Sequence, residues 1–188
     1  MRKLAALIVL LAPATAIAED APLVRDSYVG IYAIQSRYAV KFSEPAETRG
    51  YRAAGPGFTF GAGLAGNFKV EAEATSARLR ETSGPWNSSY ADNYNLMVNG
   101  KYAYELWGFF RPYAGIGIGP SYWITSGGGR WNFSYQALAG TVFNLTNVFD
   151  IDFGVKIQNL GRMPDDYVFA TTGGVINTEM RIGVLWRY

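Results

Sequence analysis

Met180-Arg-Ile-Gly-Val-Leu-Trp-Arg-Tyr188, the last nine residues of the chain, alternate strictly between two kinds of position. Met, Ile, Val, Trp and Tyr occupy one set of alternate positions, and Arg181, Gly183, Leu185 and Arg187 occupy the other. Successive side chains of a β-strand point to opposite faces. The pattern therefore predicts a strand with one apolar face, which ends on an aromatic residue and contacts different surroundings on its two sides.

The first 18 residues have the three parts of a secretory signal peptide. Two basic residues are followed by an apolar run, residues 4–12, and by the small-residue site Ala16-Ile17-Ala18. This run is shorter than the roughly 18 apolar residues that suggest a membrane-spanning helix. No later stretch reaches that length without a charge or a glycine cluster. The sequence predicts an exported protein, with a signal peptide at residues 1–18 and one domain at residues 19–188.

Composition argues against several classes of function. Removing Arg2 and Lys3 with the signal lowers the number of Lys and Arg from 17 to 15, which equals the 15 Asp and Glu. A formally neutral domain is poorly suited to nucleic acid. The chain has no Cys and no His, so thiolate and imidazole metal ligands are absent, as is the side chain best suited to proton transfer near neutral pH. We expect no catalytic site, no cofactor and no metal site.

Similar alternation along the rest of the chain predicts eight strands. In the third of them, residues 68, 70, 72 and 74 are apolar, whereas residues 69, 71, 73 and 75 are Lys, Glu, Glu and Thr. In the first, Tyr32, Ile34, Tyr38 and Val40 share one face, opposite Gln35, Arg37 and Lys41. The predicted strands are Tyr28–Phe42, Gly57–Ala65, Phe68–Arg80, Tyr94–Leu106, Tyr113–Ile124, Trp131–Phe143, Phe149–Ile157 and Val175–Tyr188.

The segments between these strands alternate between short and long. The short ones are Gly66-Asn67, Trp107–Arg111 and Leu145–Asn147, and the longer ones are Ser43–Pro56, Glu81–Asn93, Thr125–Arg130 and Gln158–Gly174. Short turns on one rim and long loops on the other are typical of outer-membrane barrels, whose long loops lie outside the cell. Asn99-Gly100 is a competing hairpin signal, but it would leave two halves too short to cross a membrane.

An apolar face opposite a charged face fits a closed sheet in a membrane, because an open sheet edge cannot persist in hydrocarbon. We therefore predict an all-β fold: an eight-stranded antiparallel transmembrane up-and-down β-barrel in the outer membrane of a Gram-negative bacterium. The alternative is a soluble ligand-binding barrel with the same rings buried inside, and periodicity alone does not separate the two. Aromatic residues should form one girdle at each interface. The outer girdle is predicted to contain Tyr38, Tyr122, Trp131 and Phe133, and the inner one Trp107, Phe109, Phe110, Phe143, Phe149, Trp186 and Tyr188.

Charged residues on the inward face should form a network of ion pairs, because charges in a narrow barrel are poorly hydrated and need partners. If the loop after the third strand is centred near Trp86, Glu71 lies opposite Lys101, and Lys69 reaches Glu105 diagonally. The last hairpin should bring Asp150 and Asp152 near Arg181. An eight-stranded barrel is only wide enough for side chains to fill, which favours a structural plug over a narrow or gated channel. The predicted network comprises Lys69, Glu71, Glu73, Lys101, Glu105, Asp150, Asp152, Lys156 and Arg181.

The chain resembles the small opacity-type and surface-antigen outer-membrane barrels, which are related in architecture to the transmembrane domain of OmpA. The resemblance is carried by Arg111–Gly119, Tyr135–Gly140, Ile151–Val155 and the aromatic C-terminal strand. It implies eight antiparallel strands and a structural, adhesive or antigenic role at the cell surface. It also implies that Val184, Trp186 and Tyr188 form the signal for the barrel-assembly machinery. The expected partners are outer-membrane lipid, lipopolysaccharide and a host or surface ligand at the loops, and a monomer is expected.

Overall fold

The computed structural model describes residues 25–41, 48–64, 67–80, 91–125, 127–164 and 174–188, and the predicted signal peptide at residues 1–18 lies outside them. Each strand pairs antiparallel with the next, and β8 pairs with β1 to close the barrel. The eight strands are β1 Arg25–Lys41, β2 Thr48–Gly63, β3 Phe68–Arg80, β4 Ala91–Ala103, β5 Phe110–Thr125, β6 Gly128–Asn144, β7 Phe149–Asn159 and β8 Ile176–Arg187. The described ranges contain no helix that is long and apolar enough to span a membrane. The predicted fold class is confirmed.

The register shows that the strands are tilted around the barrel axis. A path through paired residues that starts at Val29 of β1 returns to β1 at Ala39, ten residues further along. An offset of this kind is what closes a sheet of tilted strands. The path runs through Val29, Phe60, Ala72, Val98, Ile118, Tyr135, Asn159, Ile176 and Ala39.

A band of apolar side chains covers the outside of the barrel, and the charges lie within. Ile116 of β5 is 72% exposed, whereas Glu71 of β3 is fully buried. On β8, Met180, Ile182, Val184 and Trp186 are exposed and alternate with inward positions, as the opening pattern predicts. This polarity excludes the soluble-barrel alternative, in which the rings would fill the interior and the ions would face water.

The apolar face of β1 points inward, contrary to its expected place on the membrane side. Tyr32, Ile34, Tyr38 and Val40 are buried in the lumen, and Gln35 is exposed outside. Both faces of this strand carry apolar residues, because Val29, Ile31 and Ala33 face outward. Periodicity finds two faces but cannot say which one meets lipid when both are apolar. Tyr38 therefore does not belong to the outer girdle.

Parts of two predicted long loops are strand. β2 begins at Thr48 rather than Gly57, and it alternates between inward Tyr51 and Ala53 and outward Arg52. The glycine-rich segment after β5 forms a tight hairpin, in which Thr125 pairs with Gly128. In the β2 extension a polar residue faces outward and apolar residues face inward, and the β5–β6 hairpin is rich in glycine, so the membrane pattern identifies neither of them.

β4 runs unbroken through Asn99-Gly100, so the hairpin alternative is wrong. Gly100 pairs with Val70 on one side and with Ile116 on the other, and both of its neighbouring strands hold it in extended structure. β4 ends at Ala103, before the turn that leads to β5.

Candidate functional site

The lumen is filled by three layers of side chains, of which the ionic layer lies nearest the short turns. Arg181 is the centre of this layer. One of its guanidinium nitrogens lies 3.0 Å from Glu73, and the other lies 3.2 Å from Asp152 and donates a hydrogen bond to the Tyr113 hydroxyl. Glu71 lies 3.7 Å from the same guanidinium. We call Glu71, Glu73, Lys101, Asp152, Lys156, Glu179 and Arg181 the lumenal ion cluster.

The two lysines of the lumenal ion cluster neutralise the remaining carboxylates. The Lys101 ammonium lies 2.6 Å from Glu71, and both side chains are buried. Lys156 pairs with Glu73 and lies 2.8 Å from Glu179. Charges removed from water need partners of opposite sign, and the cluster supplies them from four different strands, β3, β4, β7 and β8.

Tyrosines complete the coordination of these carboxylates. The hydroxyls of Tyr32 and Tyr113 donate to Asp152 at 2.8 and 2.7 Å, and Tyr28 donates to Glu71 at 2.8 Å. A hydrogen bond to an ionised acceptor is stronger than one between neutral groups. The rings also fill space that glycine leaves open on the inner faces of the neighbouring strands. A Cβ atom at Gly61 would collide with Tyr28, and one at Gly183 would collide with Tyr32.

A chain of amides forms the second layer, toward the longer loops. Gln136 donates to Asn99 at 2.5 Å, Gln158 donates to Gln136 at 2.6 Å, and Asn177 donates to Gln158 at 2.7 Å. Asn99 in turn donates to Glu71 and Glu73, and so joins this layer to the lumenal ion cluster. We call Asn99, Gln136, Gln158 and Asn177 the amide belt.

The third layer lies at the outer mouth of the barrel and consists mainly of apolar side chains. Trp123 is fully buried, and its indole donates to the carbonyl of Leu160 at 3.2 Å. The Ser121 hydroxyl donates to the same carbonyl, so the segment after β7 is held across the mouth. We call the buried residues of this layer the mouth cluster: Tyr38, Val40, Tyr51, Ala53, Ala77, Leu79, Ala91, Trp123, Leu160, Met163 and Val175.

Most of the charges expected in the lumen are there, but some of their partners differ. Lys101 pairs across the strands with Lys69 rather than with Glu71, so the Glu71 contact is diagonal. The β3–β4 register is centred one residue earlier than expected, because Leu79 pairs with Ala91.

Asp150 lies in the lumen but does not join Arg181. It pairs with Arg111 at 2.8 Å and with Arg187 at 3.1 Å, close to the inner rim. Lys69 is half-buried, and its ammonium lies 5.5 Å from the centre of the Tyr28 ring.

Glu105 is the incorrect member of the predicted network. It is exposed in the turn after β4. β4 ends at Ala103, two residues before Glu105, and beyond this point side chains no longer alternate between lumen and lipid. The expected contact between Lys69 and Glu105 is therefore wrong.

Sequence reasoning missed several lumenal residues. Glu179 and Arg187 share the inward phase of Arg181 on β8, so the alternation already contained the signal for both. Arg111 stands at the first inward position of β5, where a proline follows and the phase is hard to read. The pattern of β1 does not identify its inward tyrosines, because both faces of that strand carry apolar residues.

The aromatic residues at the inner rim form two groups of contacting rings. Trp107 stacks on Phe110 with ring centres 6.2 Å apart, and Phe110 lies 5.3 Å from Phe143. Trp186 and Tyr188, at the end of the chain, are exposed on the same rim with ring centres 6.3 Å apart. Amphipathic rings in this arrangement mark a headgroup layer.

A family model described as the outer membrane protein beta-barrel domain matches residues 4–188. The chain belongs to this family. Membership of this family places the chain in the outer membrane, as the sequence predicted. Comparison of the sequence with the curated proteins gave no match.

Solved outer-membrane barrels share the fold of this family member at low sequence identity. Neisserial surface protein A (NspA) has a TM-score of 0.68 and 16% identity, over 86% of this chain and 97% of that chain. OprG from Pseudomonas aeruginosa has a TM-score of 0.59 and 11% identity, over 88% and 97%. Ail, the attachment invasion locus protein of Yersinia pestis, has a TM-score of 0.55 and 16% identity, over 87% and 98%. A further structure of Ail contains the heparin analogue sucrose octasulfate.

The geometry of the lumen suits a plug better than a pathway. A cavity of about 20 Å³ lies near the inner rim, between Lys101, Arg111, Tyr113 and Asp150. This volume is about that of one water molecule. Beyond it, the lumenal ion cluster, the amide belt and the mouth cluster follow one another along the axis.

Proposed function

We propose that this outer-membrane barrel is a sealed surface protein, which contacts ligands outside the cell through its extracellular loops and has no enzymatic role. The observation that carries this proposal is the layered filling of the lumen. A solute would have to separate ion pairs such as Lys101–Glu71 and then pass Trp123 in the mouth cluster. Breaking a buried ion pair costs about 3–5 kcal/mol, so the outer face is left as the working surface.

Two further observations support a contact role. Loops on a rigid scaffold are where binding residues concentrate, and the ranges 42–47, 81–90 and 165–173 connect strands on the outer side of this barrel. Ail, the attachment invasion locus protein of Yersinia pestis, shares the fold, and one of its structures holds a heparin analogue. Sulfated glycans are accordingly a sensible first class of ligand to test.

The experiment compares cells that carry the wild-type gene, a deletion, or a variant in which residues 81–90 and 165–173 are replaced by Gly/Ser connectors of equal length. Binding to heparin-coated and matrix-coated surfaces is measured at matched surface levels of the protein. We expect binding to fall in the deletion and in the loop variant alike. If the loop variant binds as the wild type does, the loops are not the contact surface.

A narrow channel is the second candidate, favoured by the charged lining of the cavity at the inner rim. Recordings from purified protein in planar bilayers separate the two functions. The sealed lumen predicts no stable open level, whereas a steady conductance in the wild-type protein would favour the channel.

We also propose that the C-terminal strand is the assembly signal and that the barrel is a monomer. Val184, Trp186 and Tyr188 lie along the outward face at the end of β8, where an assembly factor has access to them. Tyr188→Ala should lower the amount of folded protein in the outer membrane, while Ile182→Ala, on the same face but farther from the end, should not. Equal losses in both variants would contradict the signal. Cross-linking in native membranes tests the monomer.

A further inference from the structure

The outer interface of the barrel wall is divided into two arcs of different chemistry. On β1, β2 and β3, the outward positions just beyond the apolar band carry Arg37, Arg52 and Arg78. Arg37 pairs directly with Arg52, and Arg78 pairs with Ala54, two residues from Arg52. The three side chains are exposed and occupy neighbouring strands. We call them the basic arc.

The next three strands of the barrel, β4, β5 and β6, carry aromatic residues on their outward face. Tyr94 of β4 pairs with Tyr122 of β5, which pairs with Trp131 of β6. The Tyr122 and Trp131 rings stack with centres 4.6 Å apart, and Phe133 is 70% exposed beside them. Aromatic rings are the usual residues at a membrane interface. In the basic arc, arginines stand at the outward positions where such rings would be expected. The arc must therefore interact with the membrane interface in another way.

The electrostatics of the basic arc favour an anion. Like charges directly opposite each other on one face of a sheet repel, and Arg37 and Arg52 are such a pair. Arg78 is paired with Asp92 at 2.8 Å. Within the described residues, no carboxylate forms an ion pair with either Arg37 or Arg52. A guanidinium group binds phosphate through two parallel hydrogen bonds, so two neighbouring guanidinium groups can hold one phosphate group.

An apolar groove lies directly below the basic arc on the lipid-facing wall. It has a volume of about 450 Å³ and runs between β8, β1 and β2, where the outward residues Ala33 and Pro56, which pair with each other, leave a low surface beside Ile31 and Phe58. Ala33 precedes Arg37 by four residues on β1, which is about 13 Å along the tilted strand. If a lipid binds the arginines through its phosphate, its acyl chains therefore reach the groove.

We infer that the basic arc and this groove form a binding site for a phosphorylated, acylated glycolipid of the outer leaflet. The phosphate contacts Arg37 and Arg52, and an acyl chain occupies the groove below. Because the groove is apolar and suits an acyl chain, we assign the site to a lipid rather than to free phosphate. The site lies on the barrel wall and not in the loops, so it goes beyond the proposed surface-contact function. Either proposal can be refuted without refuting the other.

The test uses purified protein that has been stripped of lipid. It is titrated separately with diphosphoryl lipid A, dephosphorylated lipid A and inorganic phosphate. Native mass spectrometry measures how much lipid is bound. The double variant Arg37→Gln, Arg52→Gln should lower the affinity for diphosphoryl lipid A by roughly tenfold or more, since two charge-assisted contacts are lost. Arg130→Gln with Arg162→Gln removes the same charge away from the site and should leave the affinity unchanged. Arg37→Lys with Arg52→Lys should bind with intermediate affinity, because the charge remains and the paired hydrogen bonds do not.

Folding is checked for each variant by its heat-modifiable migration in gels. Ala33→Trp fills the groove and leaves both arginines in place. This variant should also lower the affinity for diphosphoryl lipid A. Wild-type affinity in the Arg37→Gln, Arg52→Gln protein would overturn the site. Equal affinity for dephosphorylated lipid A, or strong competition by inorganic phosphate with no effect of Ala33→Trp, would overturn its assignment to a phosphorylated lipid.

Discussion

Replacing Arg181 with Met removes the cation that joins most of the lumenal carboxylates. Glu73 keeps Lys156, but Asp152 has no other ion pair within the described residues and retains only the hydroxyls of Tyr32 and Tyr113. Leaving one member of a buried pair without its partner costs about 3–5 kcal/mol. We therefore expect Arg181→Met to lower the free energy of unfolding by about that amount.

A double-variant cycle with Asp152→Asn separates the loss of the pair from the loss of packing. Once the carboxylate is neutral, removing Arg181 no longer leaves that charge unpaired. The double variant should therefore be more stable than the sum of the two single losses predicts, by about 0.5–3 kcal/mol, which is the usual range for residues in contact.

The assay is reversible urea unfolding of the protein in lipid vesicles, followed by tryptophan fluorescence. Arg162→Met, at an exposed position outside the lumen, is the control and should change stability by no more than about 0.5 kcal/mol. If Arg181→Met is as stable as this control, or if the two single losses simply add, then the lumenal ion cluster does not stabilise the barrel as described.

Three further substitutions test other parts of the molecule. Ile116→Arg places a charge on the lipid-facing wall and should cost about 2–4 kcal/mol in the same unfolding assay; no loss would place this residue outside the hydrocarbon. Trp123→Ala should cost about 3–5 kcal/mol by opening a cavity in the mouth cluster, and an unchanged midpoint would mean that the mouth does not pack as described. Glu71→Ala leaves Lys101 without its carboxylate and should lower the melting temperature in detergent; an unchanged temperature together with a large rise in conductance would refute the plug.

The membrane-spanning part of the fold could be predicted closely from the sequence. Within the apolar band, an outward residue meets hydrocarbon and an inward residue meets a polar lumen, so alternation carries the full information. The phase of β3 and β7 was predicted correctly for this reason, as were the buried positions of Glu71, Lys101, Asp152 and Lys156. The prediction failed where this contrast disappears, on β1 and on the outer extension of β2.

Partner choice within the lumen was less predictable than position. Glu71 and Lys101 meet diagonally rather than as directly opposite residues, because the register differs from the predicted one. Asp150 meets Arg111 and Arg187, since the tilt of the strands brings β5, β7 and β8 together at the inner rim. Contacts across the lumen join residues far apart in the chain, and no local pattern encodes them.

The sequence by itself determined the strand number, the outward apolar band and the presence of ions inside, because each follows from two-residue periodicity against two different solvents. The tertiary structure alone decided which ions meet, how the mouth is closed and where arginines collect on the outer wall. The physical reason is the closed, tilted sheet. A ten-residue offset around the barrel fixes which distant side chains share one level, and that level determines whether each side chain meets an ion, an amide, a ring or a lipid.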